Sequence, residues 1–213
     1  MVGAGVLSRS LCSNCGFAVR VCVCDTLRRI SAQTQVWVMQ HPSESTHGKN
    51  SARLLPLVLD NAQIFIGEKA EDFELLRQKI RAMEASPVLV YPSSEGSTAV
   101  FNEAKTSPSP RILLLLDGTW RKALKMYHLN PWLHALPRLA FKPQQKSGYL
   151  IRQSSRSDSL STLEAAVEAL QILEPGLDTS PLLQVFDAMV ARRLEAMPHS
   201  VRVRYQQNKV DNE

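Results

Sequence analysis

Short apolar runs alternate along the chain with longer segments that have a single apolar face. Residues 34–40 are β-branched and apolar, and the run ends at His41-Pro42, because the residue before a proline resists helical geometry. This pattern predicts a first strand. Further apolar runs predict strands at 63–67, 88–91 and 112–116. The last of these is continuously aliphatic, which indicates a strand covered on both faces, as at the centre of a parallel sheet.

Helical periodicity fills the intervals between these runs. The predicted helices lie at 51–60, 72–83, 120–128, 161–173 and 182–197. In the helix at 120–128, Trp120, Ala123, Leu124 and Tyr127 recur at helical spacing and are predicted to face the core. Final strands or extended loops are expected at 137–141 and 149–152, and a Ser- and Pro-rich loop at 92–110. Alternating strands and helices predict an α/β fold with a mostly parallel sheet.

Length and composition allow one packed domain and a small appendage. The chain has 213 residues, of which 44% are hydrophobic. We therefore predict a cysteine-rich segment at 1–30 and the main domain at 31–213. The longest aliphatic run is far shorter than the ~20 residues of a membrane-spanning helix, and the N-terminus has no signal-peptide apolar region. A cytoplasmic protein without a membrane partner is expected.

Charge is unevenly distributed along the chain. The net charge of +5 is compatible with an anionic partner but does not establish one. In the predicted helix at 120–128, Arg121, Lys122 and Lys125 lie on a solvent face, and the helix contains no acid. A phosphate backbone would supply the missing anions, so this face predicts an RNA contact. The alternative is a face that only keeps the protein in solution.

Four cysteines are confined to the first part of the chain. Cys12, Cys15, Cys22 and Cys24 place thiols on two tight turns, a pattern that predicts a closed tetrahedral site for structural zinc. Disulfides or unligated thiols are the alternative. Arg20, Arg28 and Arg29 surround these cysteines as a small basic knob, which either touches phosphate or is solvated.

The tetrapeptide Asp117-Gly118-Thr119-Trp120 is the strongest candidate for chemistry. It lies where the predicted central strand ends and the next helix begins, and open α/β folds bind ligands at such carboxyl ends. It offers a carboxylate, a glycine that permits close approach, a hydroxyl and an aromatic face. The alternative is ordinary helix capping with the tryptophan in the core.

Several motifs together resemble a known family, the DTW-domain tRNA-uridine aminocarboxypropyltransferases. Besides the four cysteines and Asp117-Gly118-Thr119-Trp120, they are His41-Pro42 followed by Asn50, Tyr91-Pro92, and Leu160-Ser161-Thr162-Leu163-Glu164-Ala165. The resemblance spans nearly the whole chain. One departure is Ser51, where threonine is expected after the asparagine; the hydroxyl is kept.

The resemblance implies a SPOUT-like fold, in which a C-terminal knot forms a pocket for S-adenosylmethionine. The implied reaction moves the aminocarboxypropyl group to N3 of a tRNA uridine. Asp117 is the candidate base, or only orients the uracil, and cationic neighbours are expected to keep it ionised. The implied cofactor contacts are Tyr91, Pro92, Ser93, Gly118, Thr119, Trp120, Ala140, Phe141, Lys142, Leu160, Ser161 and Thr162.

Other residues are assigned less specifically. Arg152 and Arg156 are candidates for gripping tRNA phosphates or the cofactor carboxylate. His41 and Glu44 are placed at the end of the first strand, near the site. Two other functions remain open: an RNA methyltransferase of the same fold, and a zinc-dependent RNA-binding module without activity. The sequence also leaves open the modified uridine and whether the protein is a monomer or a homodimer.

Overall fold

Five parallel strands form a single sheet in the computed structural model, which describes residues 10–91, 111–141 and 160–202. The strands are β1 (Gln35–Gln40), β2 (Ala62–Ile66), β3 (Ser86–Val90), β4 (Arg111–Asp117) and β5 (Arg138–Leu139). Their order is β2-β1-β4-β3-β5. The predicted α/β class and parallel sheet are confirmed, and β4 is buried along most of its length, as its aliphatic run predicted.

Six named α-helices and several 3-10 turns are interspersed with the strands in the described residues, and residues 199–202 are also helical. The helices are α1 (Pro42–Ser45), α2 (Leu55–Val58), α3 (Glu74–Ala82), α4 (Trp120–Leu129), α5 (Thr162–Leu173) and α6 (Ser180–Glu195). The single helix predicted at 51–60 is wrong: a 3-10 turn, Ala52–Leu54, precedes a short α2. Pro56 explains the break, because proline removes a backbone donor and is tolerated only in the first turn of a helix. The predictions for 92–110 and 149–152 lie outside the described residues.

Two hydrophobic clusters cover the two faces of the sheet. Alternate residues of β1 point to opposite sides, so that Val36 and Val38 join the first cluster while Trp37 and Met39 join the second. The first cluster is completed by α2, α5, α6 and the cysteine-bearing segment. The second is completed by α3 and α4. The described part of the chain is thus a three-layer α/β arrangement.

The core-facing stripe of α4 differs from the sequence prediction. Ala123 and Tyr127 are buried as predicted, and Met126 is buried with them. Trp120 and Leu124, however, are 46% and 47% exposed, so their predicted place in the core is wrong. Helical geometry puts residues four apart on one face, and the pair lies on the stripe next to the buried one.

No helix among the described residues is long and apolar enough to span a membrane.

Candidate active site

The carboxyl ends of β1 and β4 lie side by side, and the segments that follow these strands leave over opposite faces of the sheet. After β1 the chain passes over the first face through α2, whereas after β4 it passes over the second face through α4. Open parallel sheets form their ligand crevice between such strands. Gln40 ends β1 directly beside Asp117 at the end of β4, and the N–H of His41 donates to the Asp117 carbonyl at 2.9 Å. Asp117 therefore lies at the carboxyl end of a central strand, as the sequence predicted.

The Asp117 side chain is held from two directions. It is only 9% exposed, and its Oδ2 accepts a hydrogen bond from Gln40 Nε2 at 2.8 Å. The Thr162 hydroxyl donates to Oδ1. Thr162 is the first residue of α5, so the partial positive charge at that helix N-terminus lies beside the carboxylate. Gln40 and Thr162, which both donate to Asp117, are neutral residues. The sequence analysis expected cationic neighbours and did not predict these neutral donors.

The N-terminus of α5 is fixed by the predicted capping box. Ser161 Oγ accepts from the Glu164 N–H at 3.2 Å, and the Glu164 carboxylate accepts from the Ser161 N–H at 2.7 Å. Both residues are buried. The box satisfies two backbone groups and fixes the helix end that faces Asp117.

Gly118 packs tightly against its neighbours. A Cβ at this position would lie 3.0 Å from Lys122 Cβ and 3.7 Å from His41 Cβ. This crowding accounts for a glycine at position 118, and the close approach of a ligand there stays a prediction. Thr119 caps α4 through its backbone, and its side chain makes no capping hydrogen bond. Ordinary capping by that side chain therefore does not explain the tetrapeptide.

The cations of α4 have acidic partners from other elements. Lys122 Nζ lies 2.8 Å from a Glu44 carboxylate oxygen and 2.6 Å from Ser43 Oγ, while Lys125 Nζ lies 2.9 Å from Glu68. As predicted, α4 itself contains no acid, but Lys122 and Lys125 are paired with acids that lie outside the helix. Arg121 is exposed on the same helix.

His41 joins this charged group at the end of β1. Its Nδ1 accepts from the Ser43 N–H at 3.2 Å, so Nε2 carries the proton and donates to Glu68 at 3.1 Å. The hydrogen bond from Lys125, and then that from His41, holds the pKa of Glu68 below its usual value. His41 and Glu44 therefore lie near Asp117, as the sequence suggested.

An aromatic cluster forms beyond the end of β3, the strand that pairs with β4 on the side opposite β1. Tyr91, just after β3, stacks on Tyr127 with ring centroids 4.6 Å apart and meets Trp120 edge-on at 6.4 Å. Arg138 lies over both tyrosine rings and donates to the Tyr127 hydroxyl. Burial raises the pKa of Tyr91. The cluster offers aromatic surface and a cation near the sheet edge at which open parallel sheets commonly bind ligands.

Comparison with known proteins assigns the chain to a family. Residues 9–194 match the DTW domain. The chain belongs to the DTW-domain family. A Drosophila melanogaster protein named tRNA-uridine aminocarboxypropyltransferase 2 is 30% identical over 171 residues, covering 78% of this chain and 67% of the fly protein. The mouse protein of that name is 27% identical over 170 residues, covering 78% of this chain and 57% of its own length.

A plant relative is also similar, over a shorter region. The Arabidopsis thaliana tRNA-uridine aminocarboxypropyltransferase A is 31% identical over 137 residues, which is 55% of this chain and 50% of the plant protein. The DTW-domain chain thus spans about half to two thirds of the length of these relatives. No solved structure matches it.

The four cysteines of this DTW-domain protein converge in space. The sulfurs of Cys12, Cys15, Cys22 and Cys24 all lie within 4.8 Å of one another. A tetrahedral zinc with bonds of about 2.3 Å to sulfur requires sulfurs roughly 3.8 Å apart, which this grouping can meet. No disulfide joins these four thiols. Hydrogen bonds from the backbone of Cys15 and Asn14 lower the pKa of Cys12 to about 6, whereas hydrogen bonds from the neighbouring thiols raise the pKa of Cys22.

The basic knob around the cysteines is partly paired. Arg28 lies 3.6 Å from Asp178, and Arg29 lies 2.5 Å from Asp60, while Arg20 is exposed. Ala140 and Phe141 follow β5 at the same edge of the sheet as Tyr91, and Leu160 directly precedes the capping box. The remaining predicted contacts lie outside the described residues: Pro92, Ser93, Lys142, Arg152 and Arg156.

Some residues at the site were missed from the sequence. Gln40 could have been found from the sequence, since it is a polar residue that directly follows the apolar run of residues 36–39. Nothing in the sequence singles out Glu68 or Arg138, because the residues that they contact are distant in the chain. These contacts become visible only once the sheet brings the strand ends together.

Proposed function

We propose that this DTW-domain protein transfers the 3-amino-3-carboxypropyl group of S-adenosylmethionine to N3 of a tRNA uridine. The names of its relatives support this reaction. The main support for this reaction is the position of the Asp117 carboxylate. It is held between the ends of β1 and β4 by Gln40 and by Thr162 at the N-terminus of α5. That placement brings an acceptor group and a helix N-terminus together where a ligand crevice is expected.

The proposed cofactor site lies between α5 and the aromatic cluster. S-adenosylmethionine, when bound, supplies a sulfonium-activated carbon. Ser161 and Thr162 are suited to its amino acid carboxylate because they sit at a helix N-terminus. Trp120 and Tyr91 offer aromatic faces to the adenine or the sulfonium, and Gly118 permits close approach. We further propose the knotted SPOUT-like arrangement that the family resemblance implies.

Asp117 is the proposed acceptor for the uracil imide. The N3 of uridine is protonated at neutral pH, so its proton must be withdrawn as the bond to carbon forms. When N3 bonds to the aminocarboxypropyl carbon, the carbon–sulfur bond breaks and methylthioadenosine leaves. The buried carboxylate either receives the N3 proton itself or orients the imide while a water molecule receives the proton. Geometry, rather than intrinsic reactivity, selects this carbon over the methyl.

Isotopic labelling tests the proposal directly. Protein, tRNA and S-adenosylmethionine labelled separately in the methyl and in the carboxypropyl carbons are incubated, and the tRNA nucleosides are analysed by mass spectrometry. We expect only the carboxypropyl label to reach a uridine. Transfer of the methyl label would instead establish the RNA methyltransferase. Tight tRNA binding without cofactor binding, measured by calorimetry, would establish the non-catalytic module.

Trp120 provides a separate test of the cofactor site. Because its side chain is 46% exposed, Trp120→Ala is expected to change stability little and to weaken S-adenosylmethionine binding by about tenfold, the loss of one aromatic contact of ~1.5 kcal/mol. Calorimetry measures the affinity. The control is Leu124→Ala, since Leu124 is 47% exposed on the same helix face and should leave the affinity unchanged. An unaltered dissociation constant in Trp120→Ala would remove the tryptophan from the site.

Zinc and tRNA complete the proposal. Zinc is proposed as the metal of the cysteine cluster because four thiolates suit its tetrahedral preference and close its coordination shell. The tRNA is proposed to lie along Arg121, Lys122 and Lys125, with Arg20, Arg28 and Arg29 as more distant phosphate contacts. We place the reaction in the cytoplasm.

A further inference from the structure

Arg53 connects the cysteine cluster to the segment that follows β1 at the proposed active site. Arg53 Nη1 donates to the carbonyl of Gly16, in the turn that follows Cys15, at 3.0 Å. Its Nη2 donates to the carbonyl of Ser45, the last residue of α1, also at 3.0 Å. One planar guanidinium thus bonds to both segments, using the fork geometry that lysine lacks. Arg193 lies beside the same two segments, over the Phe17 ring at 5.3 Å and close to Gly48.

At the cysteine cluster, Arg53 contacts a tight turn formed by Gly16 and Phe17. Gly16 has a φ of +70°, a conformation that favours glycine, and the following Phe17 is buried. The Arg53 guanidinium also lies over the Phe17 ring at 5.2 Å. A metal held by Cys15 and its partners would fix this turn, and with it the direction of the Gly16 carbonyl.

The other side of the connection reaches Asp117. Asn50 accepts from the Arg53 N–H at 3.2 Å and donates to the Glu44 carbonyl at 3.1 Å, so the segment after α1 closes back on that helix. The Glu44 carboxylate binds Lys122 of α4 at 2.8 Å. The cap of α1 is His41, whose N–H donates to the carbonyl of Asp117. Helix α1 is therefore anchored at the site by one end and to the cysteine turn by Arg53 at the other.

We propose that Arg53 is a positioning residue through which metal binding at the cysteines orders α1 at the mouth of the active site. With only four residues, α1 cannot be stable alone, since isolated helices need about 12 or more residues. Its order depends on its anchors. Metal loading supplies one of them through the Gly16 carbonyl, so the cluster influences the site as well as the stability of its own segment.

Hydrogen exchange on the intact protein tests this coupling, without tRNA or cofactor. The reporters are the N–H groups of Glu44, His47 and Asn50, which are bonded within this segment. Removing the metal by chelation is expected to speed their exchange by about tenfold, within the range of coupling between linked sites. Arg53→Met should produce a similar increase in the metal-loaded protein. Chelation of Arg53→Met should then add less than about twofold, because the connection is already broken.

Three further measurements make the test specific. Arg53→Lys keeps the charge but cannot bridge both carbonyls, and it is expected to fall between the wild type and Arg53→Met. The control Arg29→Met removes an exposed, ion-paired arginine and should leave the reporters unchanged. Metal affinity, measured by competition with a chromogenic chelator, should fall about fivefold in Arg53→Met, because coupling is reciprocal.

Two results would overturn the inference: unchanged exchange of the reporters after chelation of the wild type, or full additivity of chelation and Arg53→Met. Neither result depends on which group is transferred to RNA. The failure of this inference is therefore distinct from the failure of the proposed reaction.

Discussion

Asp117→Asn is expected to lower the rate of transfer by about 10²-fold or more while leaving S-adenosylmethionine affinity nearly unchanged. The substitution removes the charge and the proton-accepting capacity but preserves the shape of the side chain. The fold should tolerate it, because one amide oxygen can still accept from Gln40 and the Thr162 hydroxyl can turn to accept from the new amide. Single-turnover kinetics with saturating cofactor measures the rate.

A matched control isolates the role of this one carboxylate. Asp60→Asn makes the same chemical change at an exposed ion pair with Arg29. Because Asp60 precedes β2 and does not lie at the carboxyl end of a strand, this substitution should leave the rate unchanged. Full turnover in Asp117→Asn would exclude Asp117 as the base. A lost rate accompanied by lost cofactor binding would instead make Asp117 a binding residue.

Features built from neighbouring residues could be predicted from the sequence. The aliphatic run in β4 predicted a central buried strand, because continuous apolar character has few other uses in an α/β domain. Ser161 and Glu164 predicted the start of α5, since the capping box requires only four consecutive residues. The place of Asp117 beside the end of β1 was predictable because strand ends in parallel sheets converge at one edge.

Features that depend on distant residues could not be predicted in this way. The cations of α4 were expected to face no acid, yet Glu44 and Glu68 reach them from other elements. Trp120 was assigned to the core because periodicity alone does not say which of two adjacent helix stripes faces the sheet. The bridge made by Arg53 joins residues whose proximity follows from tertiary packing.

The cysteine cluster offers the second large effect. Cys15→Ser replaces a buried thiol with a poorer metal ligand and is expected to reduce bound metal from about one atom per chain to nearly none. The segment carrying Phe17, Val21 and Val23 packs into the same core as α6, so its loosening should also destabilise the domain. A loss of about 3 kcal/mol corresponds to a fall of roughly 6–12 °C in the melting temperature of a chain this long. Elemental analysis and calorimetry measure the two effects.

The comparison variant is Ser13→Ala, an exposed position in the same turn that supplies no ligand. It should retain the metal and the melting temperature of the wild type. Since metal contacts supply much of the folding free energy of small metal-binding segments, chelating the wild type should lower its melting temperature to that of Cys15→Ser. If Cys15→Ser keeps its metal, or if chelation leaves the wild-type melting temperature unchanged, the four thiols do not form a structural metal site, and the proposed route from the cluster through Arg53 to α1 loses its starting point.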